Sequence, residues 1–277
     1  KPAPTKPSPT AKAASPQAAK GLDLAKAAEE RKNADRLYEA GKQQEAKTVY
    51  ARIASFYAED FAFNNRLAEL YLNSPRKEMD RAARHFAIAY KLNPKDAKVE
   101  LNLAKSYSWS GQYAAAIATF RKVLVRDPSN GVALLEIARA QNYAGQVTAA
   151  RETYEGYLKR WFNDGEVRLE FAAFLGWNQQ QDAALQQYRQ VLKADPMNVK
   201  ARVGEAELLA WQGKLAESLK IYDDVLRGSP NRYEALRGKA FVLLWLQRYD
   251  EAGAVFAQAN RQRPPDKEVQ EAQRLIV

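Results

Sequence analysis

At 277 residues the chain has room for one large domain or two small ones. It has no cysteine and a single histidine, His85, which excludes disulfides, thiolate metal sites and cysteine nucleophiles and leaves almost no room for a catalytic triad or multi-histidine metal site. The formal charge of +10 permits an anionic partner, but residues 1–20 hold four lysines (Lys1, Lys6, Lys12, Lys20) and no acid, so much of the excess sits there.

Residues 1–21 begin KPAPTKPSPTAKAASPQAAK, with five prolines and no apolar side chain larger than alanine before Leu22. Such a stretch cannot offset its ordering entropy by burial and is expected to be a disordered Lys/Pro/Ala-rich linker, a tether to an anchor or a neighbouring domain. The chain opens on Lys1 rather than methionine, which suggests a processed or shortened product. No apolar run reaches the roughly 18 residues of a membrane-spanning helix, and no signal-peptide pattern is present.

From residue 22 to 266 the texture is amphipathic helices with short breaks. A first irregular copy (27–60) centres on Gly41, and a second (61–96) carries two extra residues in its turn around Asn73-Ser74-Pro75-Arg76. Strict register follows. Gly111, Gly145, Gln179, Gly213 and Gln247 stand 34 residues apart, and Pro94, Pro128, Pro196, Pro230 and Pro264 keep the same step, with Phe162 replacing proline once. The resulting repeats are 97–130, 131–164, 165–198, 199–232 and 233–266. Residues 267–277 begin a partial C-terminal capping helix, and the stop within it points to a longer parent protein.

Alanine recurs at the eighth residue of the regular repeats (Ala104, Ala138, Ala172, Ala206, Ala240). The twentieth holds Ala116, Ala150, Ala184, Ser218 and Ala252, matched by Ala82 in the second copy. Phe86, Phe120, Tyr154, Tyr188, Tyr222 and Phe256 recur where a large residue would fill the wedge towards the next pair. On these residues about 240 of the 277 resemble the tetratricopeptide repeat (TPR). The resemblance implies an all-α fold, a right-handed superhelical solenoid of about seven helix-turn-helix repeats with an inner groove lined by the first helices. One departure is clear. The aromatic usual at the fourth residue of a TPR is here Glu100, Leu134, Arg168, Arg202 and Leu236.

Four of the five tryptophans fall at one repeat position, the last before each turn: Trp109, Tyr143, Trp177, Trp211 and Trp245. Either each ring packs against the next repeat in place of the missing aromatic, or the rings form a column along the groove that stacks on a partner's side chains or on sugar rings. The candidate partner-binding set is completed by Lys105, Arg139, Glu170, Glu207 and Arg237. Five acids oppose five bases across the groove positions, which suits an extended, partly apolar peptide better than a polyanion. No catalytic residue, metal site or cofactor is expected, and adjacent acids such as Glu29/Glu30 read as solvated surface.

The primary functional expectation is therefore a non-catalytic protein-protein interaction scaffold, with protein or peptide partners and no nucleic acid. The period of 34 and the leucines at the fifth residue (Leu101, Leu135, Leu169) argue against RNA-reading helical repeats. The phrases SWSGQY, GWNQQQ and AWQGKL are similar to TPR regions of bacterial envelope proteins ahead of outer-membrane barrels in exopolysaccharide export. That resemblance implies a periplasmic or envelope-associated setting, with a cytoplasmic one as the alternative, and a second role in guiding an exopolysaccharide.

Overall fold

Glycine-type breaks after one helix and proline after the next divide the chain into helices. A computed structural model describes residues 23–75 and 78–276. The expected linker at 1–21, most of the inserted pair near Arg76 and the last residue of the expected cap lie outside these residues. Among the described residues there are fifteen α-helices and no strand. They divide into two compact units, one ending at Ala144 and the other beginning at Gly145.

The first unit contains α1 (Leu24–Glu39), α2 (Gln43–Ile53) with a short 3-10 turn at Ala54–Tyr57, α3 (Phe61–Leu72), α4 (Met79–Leu92), α5 (Ala97–Trp109), α6 (Tyr113–Arg126) and α7 (Gly131–Tyr143). The second contains α8 (Val147–Arg160), α9 (Gly165–Trp177), α10 (Gln181–Ala194), α11 (Val199–Trp211), α12 (Leu215–Gly228), α13 (Tyr233–Trp245), α14 (Tyr249–Asn260) and the short α15 (Lys267–Arg274). In each unit consecutive helices pack on one another. Below, α1, α3, α5, α7, α9, α11 and α13 are the first helices, and their even-numbered successors the second.

Both kinds of helix end are set by local chemistry. After each first helix except α3 the chain passes through a left-handed residue, Gly41, Gly111, Gly145 or Gly213, or Gln179 (φ 62°) and Gln247 (φ 59°). Two backbone bonds close the turn, as in Gly213 N–H to Ala210 C=O (3.0 Å) and Lys214 N–H to Leu209 C=O (2.9 Å). Each second helix from α4 to α12 ends on a residue outside the helical region. Asn93, Asp127, Asp195 and Ser229 take that conformation because proline follows, which disfavours helix at the preceding residue. Trp161 does the same before Phe162. Most first helices start on a side-chain cap: Asp96, Asn130, Asp164 and Asn198 each accept a backbone N–H of the first turn.

The recurrent alanines are fully buried, so paired helices approach closely. Ser218 stands in one of these places and donates its hydroxyl to Ala206 C=O at 2.7 Å, which satisfies a buried polar group. The recurrent aromatics are buried too, from Phe86 at 0% exposure to Tyr188 at 8%. At three of the fourth residues that depart from an aromatic, Glu100, Arg168 and Arg202, polar contacts are made instead, whereas Leu236 stays buried. Glu100 is 1% exposed and accepts from Tyr90 (2.9 Å) and from the Arg126 guanidinium. Arg168 donates to Phe162 C=O and Arg202 to Pro196 C=O, tying the turn that precedes each helix.

The irregular first copies are held by charge as well as by apolar contact. Lys47, almost fully buried, reaches Glu78 (2.5 Å) and Ser74 (2.7 Å). This bond keeps the Glu78 carboxyl below the usual range. His85 is largely buried and stacks on Tyr71. The Asn64 amide nitrogen donates to Tyr57 and Asp60 carbonyls, so its oxygen faces His85 Nδ1 (2.9 Å), which therefore carries the proton. Burial, reinforced by Arg84 and Arg81, lowers the imidazole to about 4. His85 is thus a neutral packing residue.

Candidate functional site

The side of each first helix turned away from its second helix carries the candidate residues. Along α11, Lys200, Gly204, Glu207 and Trp211 follow at helical spacing and share one face. The five ring positions are all exposed: Trp109 41%, Tyr143 63%, Trp177 68%, Trp211 42% and Trp245 48%. The rings are not core residues. They are partly propped: Tyr143 stacks on Tyr113, Trp245 lies beside Phe241 at 6.2 Å, and Trp211 leans towards Gly176. A Cβ on Gly176 would come within 3.2 Å of Leu208 and 3.8 Å of Trp211, so this glycine admits α11 close to α9. Tyr143, Trp211 and Trp245 are thus partly packed and partly exposed.

In the first unit, Lys105 and Trp109 lie one turn apart on α5, and Arg139 of α7 bonds Glu136 at 2.8 Å. A recess of about 310 Å³, lined in part by Tyr38, Glu69, Lys98 and Asn102, opens across α1, α3 and α5. Its charges are mutually engaged, since Glu69 accepts from Lys98 (2.8 Å) and from Tyr38 (3.1 Å). This recess involves the irregular copies, which sequence patterning passed over because they lack the strict register.

The second unit gathers Glu170, Trp177, Glu207, Trp211, Arg237 and Trp245. Glu170 accepts the Tyr154 hydroxyl at 2.7 Å. Arg237 pairs with Glu268 (2.5 Å) and Asp266 (3.4 Å) and lies over the Phe241 ring at 4.8 Å, so its charge is already answered. Despite the desolvation that opposes its charge, these bonds hold the guanidinium above its ordinary value. Glu207 is exposed, yet its carboxyl is raised, first by desolvation and then by Glu268, against the lowering effect of Arg237. Exposure and desolvation coexist where water reaches a side chain that protein atoms also surround.

Two glycines missed by the sequence reading shape this surface. A Cβ on Gly204 would fall 2.3 Å from the Tyr188 ring, and one on Gly238 2.3 Å from the Tyr222 ring. In the preceding repeat the corresponding place holds Glu170, which takes the Tyr154 hydroxyl. The Tyr188 and Tyr222 hydroxyls have no partner among the described residues. Spacing marked both tyrosines as core wedges, and both are buried, at 8% and 2% exposure; the structure adds that each ring packs directly against a glycine.

Two tetratricopeptide-repeat family models match the chain, one over residues 110–169 and 212–276 and the other over 178–232, together more than half its length. The chain belongs to the tetratricopeptide-repeat family. Among solved structures, a TPR protein from Parabacteroides merdae is 15% identical with a TM-score of 0.63, over 90% of this chain and 98% of that one. A TPR repeat-containing protein from Cytophaga hutchinsonii is 16% identical with a TM-score of 0.64, over 87% and 98%. YrrB, described as a TPR protein with an unusual peptide-binding site, is 20% identical with a TM-score of 0.50, over 69% and 99%. No curated protein sequence matches. At these identities the structural likeness speaks for the fold alone, an all-α helical repeat. No helix among the described residues is long and apolar enough to cross a membrane.

Proposed function

We propose that this TPR chain is a non-catalytic scaffold that holds an extended segment of a partner protein along its first-helix face, within a bacterial envelope assembly. The observation that carries the reading is the repeated exposure of a large aromatic at one repeat position, 41% to 68% exposed in five successive repeats. Exposed rings with little rotamer freedom are efficient anchors for a partner. YrrB, a relative in fold, has a peptide-binding site by its description. The envelope setting, and with it a periplasmic location, is part of this proposal and is supported by the likeness of the turn phrases to export proteins.

The test is co-purification from cell extract with the wild type and a Trp177→Ala/Trp211→Ala variant. Both rings are exposed, so the variant keeps its helical circular dichroism and its thermal midpoint within a few degrees. Partner recovery falls by more than about tenfold, as expected for anchors worth about 2 kcal/mol each. A folded variant that retains its partner overturns the reading. Half-exposed tryptophans also suit sugar rings, and this second reading is checked by tryptophan fluorescence during titration with neutral and acidic glycans. A saturable response lost in the double variant would favour the exopolysaccharide role.

A further inference from the structure

Charge on the first-helix face of the second unit is almost wholly internally matched. Lys200 pairs with Glu166 at 2.7 Å, Glu234 with Arg232 and Arg263, and Arg237 with Asp266 and Glu268. Glu170 takes the Tyr154 hydroxyl. Glu207 is the exception: it has no ion pair or hydrogen bond among the described residues. Gly204, one turn before it, adds no side chain beside it, and the buried Tyr188 and Tyr222 rings pack beneath Gly204 and Gly238. The Glu207 charge is near enough to help burial raise both phenols, Tyr188 to about 12. Trp211 stands one turn beyond Glu207 with 42% of its surface free.

We infer that the partner segment places a lysine or arginine side chain against the exposed Glu207 carboxylate, with the Trp211 ring as one wall. The same unit already shows how such a group is received: the Arg237 guanidinium lies over Phe241 and meets carboxylates at its edge. A cation recovers the interaction energy that Glu207 lacks, and the aromatic wall adds a cation–π contribution. An acidic or phosphorylated segment would meet like charge here, and a neutral one would cover the carboxylate without pairing it. This inference rests on the peptide-scaffold reading and specifies the partner's chemistry at one point.

The probe is a random-peptide library displayed on phage and selected against the full chain, with the recovered peptides then synthesised. The recovered sequences share one lysine or arginine at a fixed distance from an apolar residue. Replacing Glu207 with glutamine, a conservative change at an exposed site, weakens these peptides by roughly tenfold or more. Exchanging the basic residue for norleucine costs a similar factor on the wild type and almost nothing on Glu207→Gln, which isolates the pair. Peptides that lack a common basic residue, or that bind Glu207→Gln at full strength, overturn the inference and leave the scaffold reading intact. An empty selection, or peptides indifferent to Trp177→Ala/Trp211→Ala, removes both.

Discussion

A glycine facing a tyrosine ring and a glycine facing solvent look alike in the sequence but have opposite consequences. Alanine at Gly238 must displace the buried Tyr222 ring, so Gly238→Ala is expected to destabilise by about 1–3 kcal/mol. Gly156, exposed in α8 with open space around it, gains up to about 1 kcal/mol on replacement by alanine. Urea unfolding of the two variants against the wild type checks both signs. His85 offers a second contrast. Its folded value near 4 lies below the ordinary 6.5, so it contributes stability above pH 6.5 that is lost as pH falls towards 4, about 3 kcal/mol in full. A His85→Gln variant should show a flatter stability profile between pH 6.5 and 5, read by denaturant midpoint at each pH. At this level the alanines and aromatic wedges were legible from spacing. The buried polar pairs were not: Lys47 meets Glu78 and Glu100 meets Arg126 across 31 and 26 residues, distances at which periodicity carries no pairing information.

The helices themselves were largely legible, because their ends are written in short-range chemistry. The recurrent break marks a left-handed residue, the proline forces its predecessor out of helix, and Asp or Asn caps most first helices. Gln179 and Gln247 occupy the break with positive φ, a conformation that costs a residue bearing a Cβ about 1–2 kcal/mol. Gln247→Gly is therefore expected to gain up to about 1 kcal/mol, the remainder being offset by the greater freedom of glycine in the unfolded chain. Gly213→Ala, at the same turn position with φ 78°, should lose about 1 kcal/mol. Thermal unfolding of the pair tests the turn reading with opposite signs. Less legible was the role of the fourth residue in each repeat. Its arginines and glutamate signalled a missing aromatic, and only the structure shows that the arginines bind the preceding turn while Glu100 bonds Tyr90 and Arg126 of the neighbouring helices.

For the chain as a whole, the basic excess is unevenly spread. Four lysines lie in residues 1–20, and further bases fall in the last turns of α6, α8, α10 and α12, where they complement the helix dipole. A chain beginning at Leu22 should accordingly leave a heparin column at clearly lower salt than the full chain, with its unfolding midpoint unchanged. Equal retention of the two would place the anion-binding charge on the helices instead. Repetition let the sequence by itself determine the helical-repeat class, the spacing of its helices and the recurrence of an aromatic before each turn, because all three depend on contacts between residues at most one repeat apart. Tertiary structure alone decided that those rings are exposed, that Arg237 is already neutralised while Glu207 is not, and that two buried tyrosine rings pack against glycine. Those properties arise where side chains from several helices converge, and charge balance at such a place is fixed by three-dimensional neighbours rather than by position in the repeat.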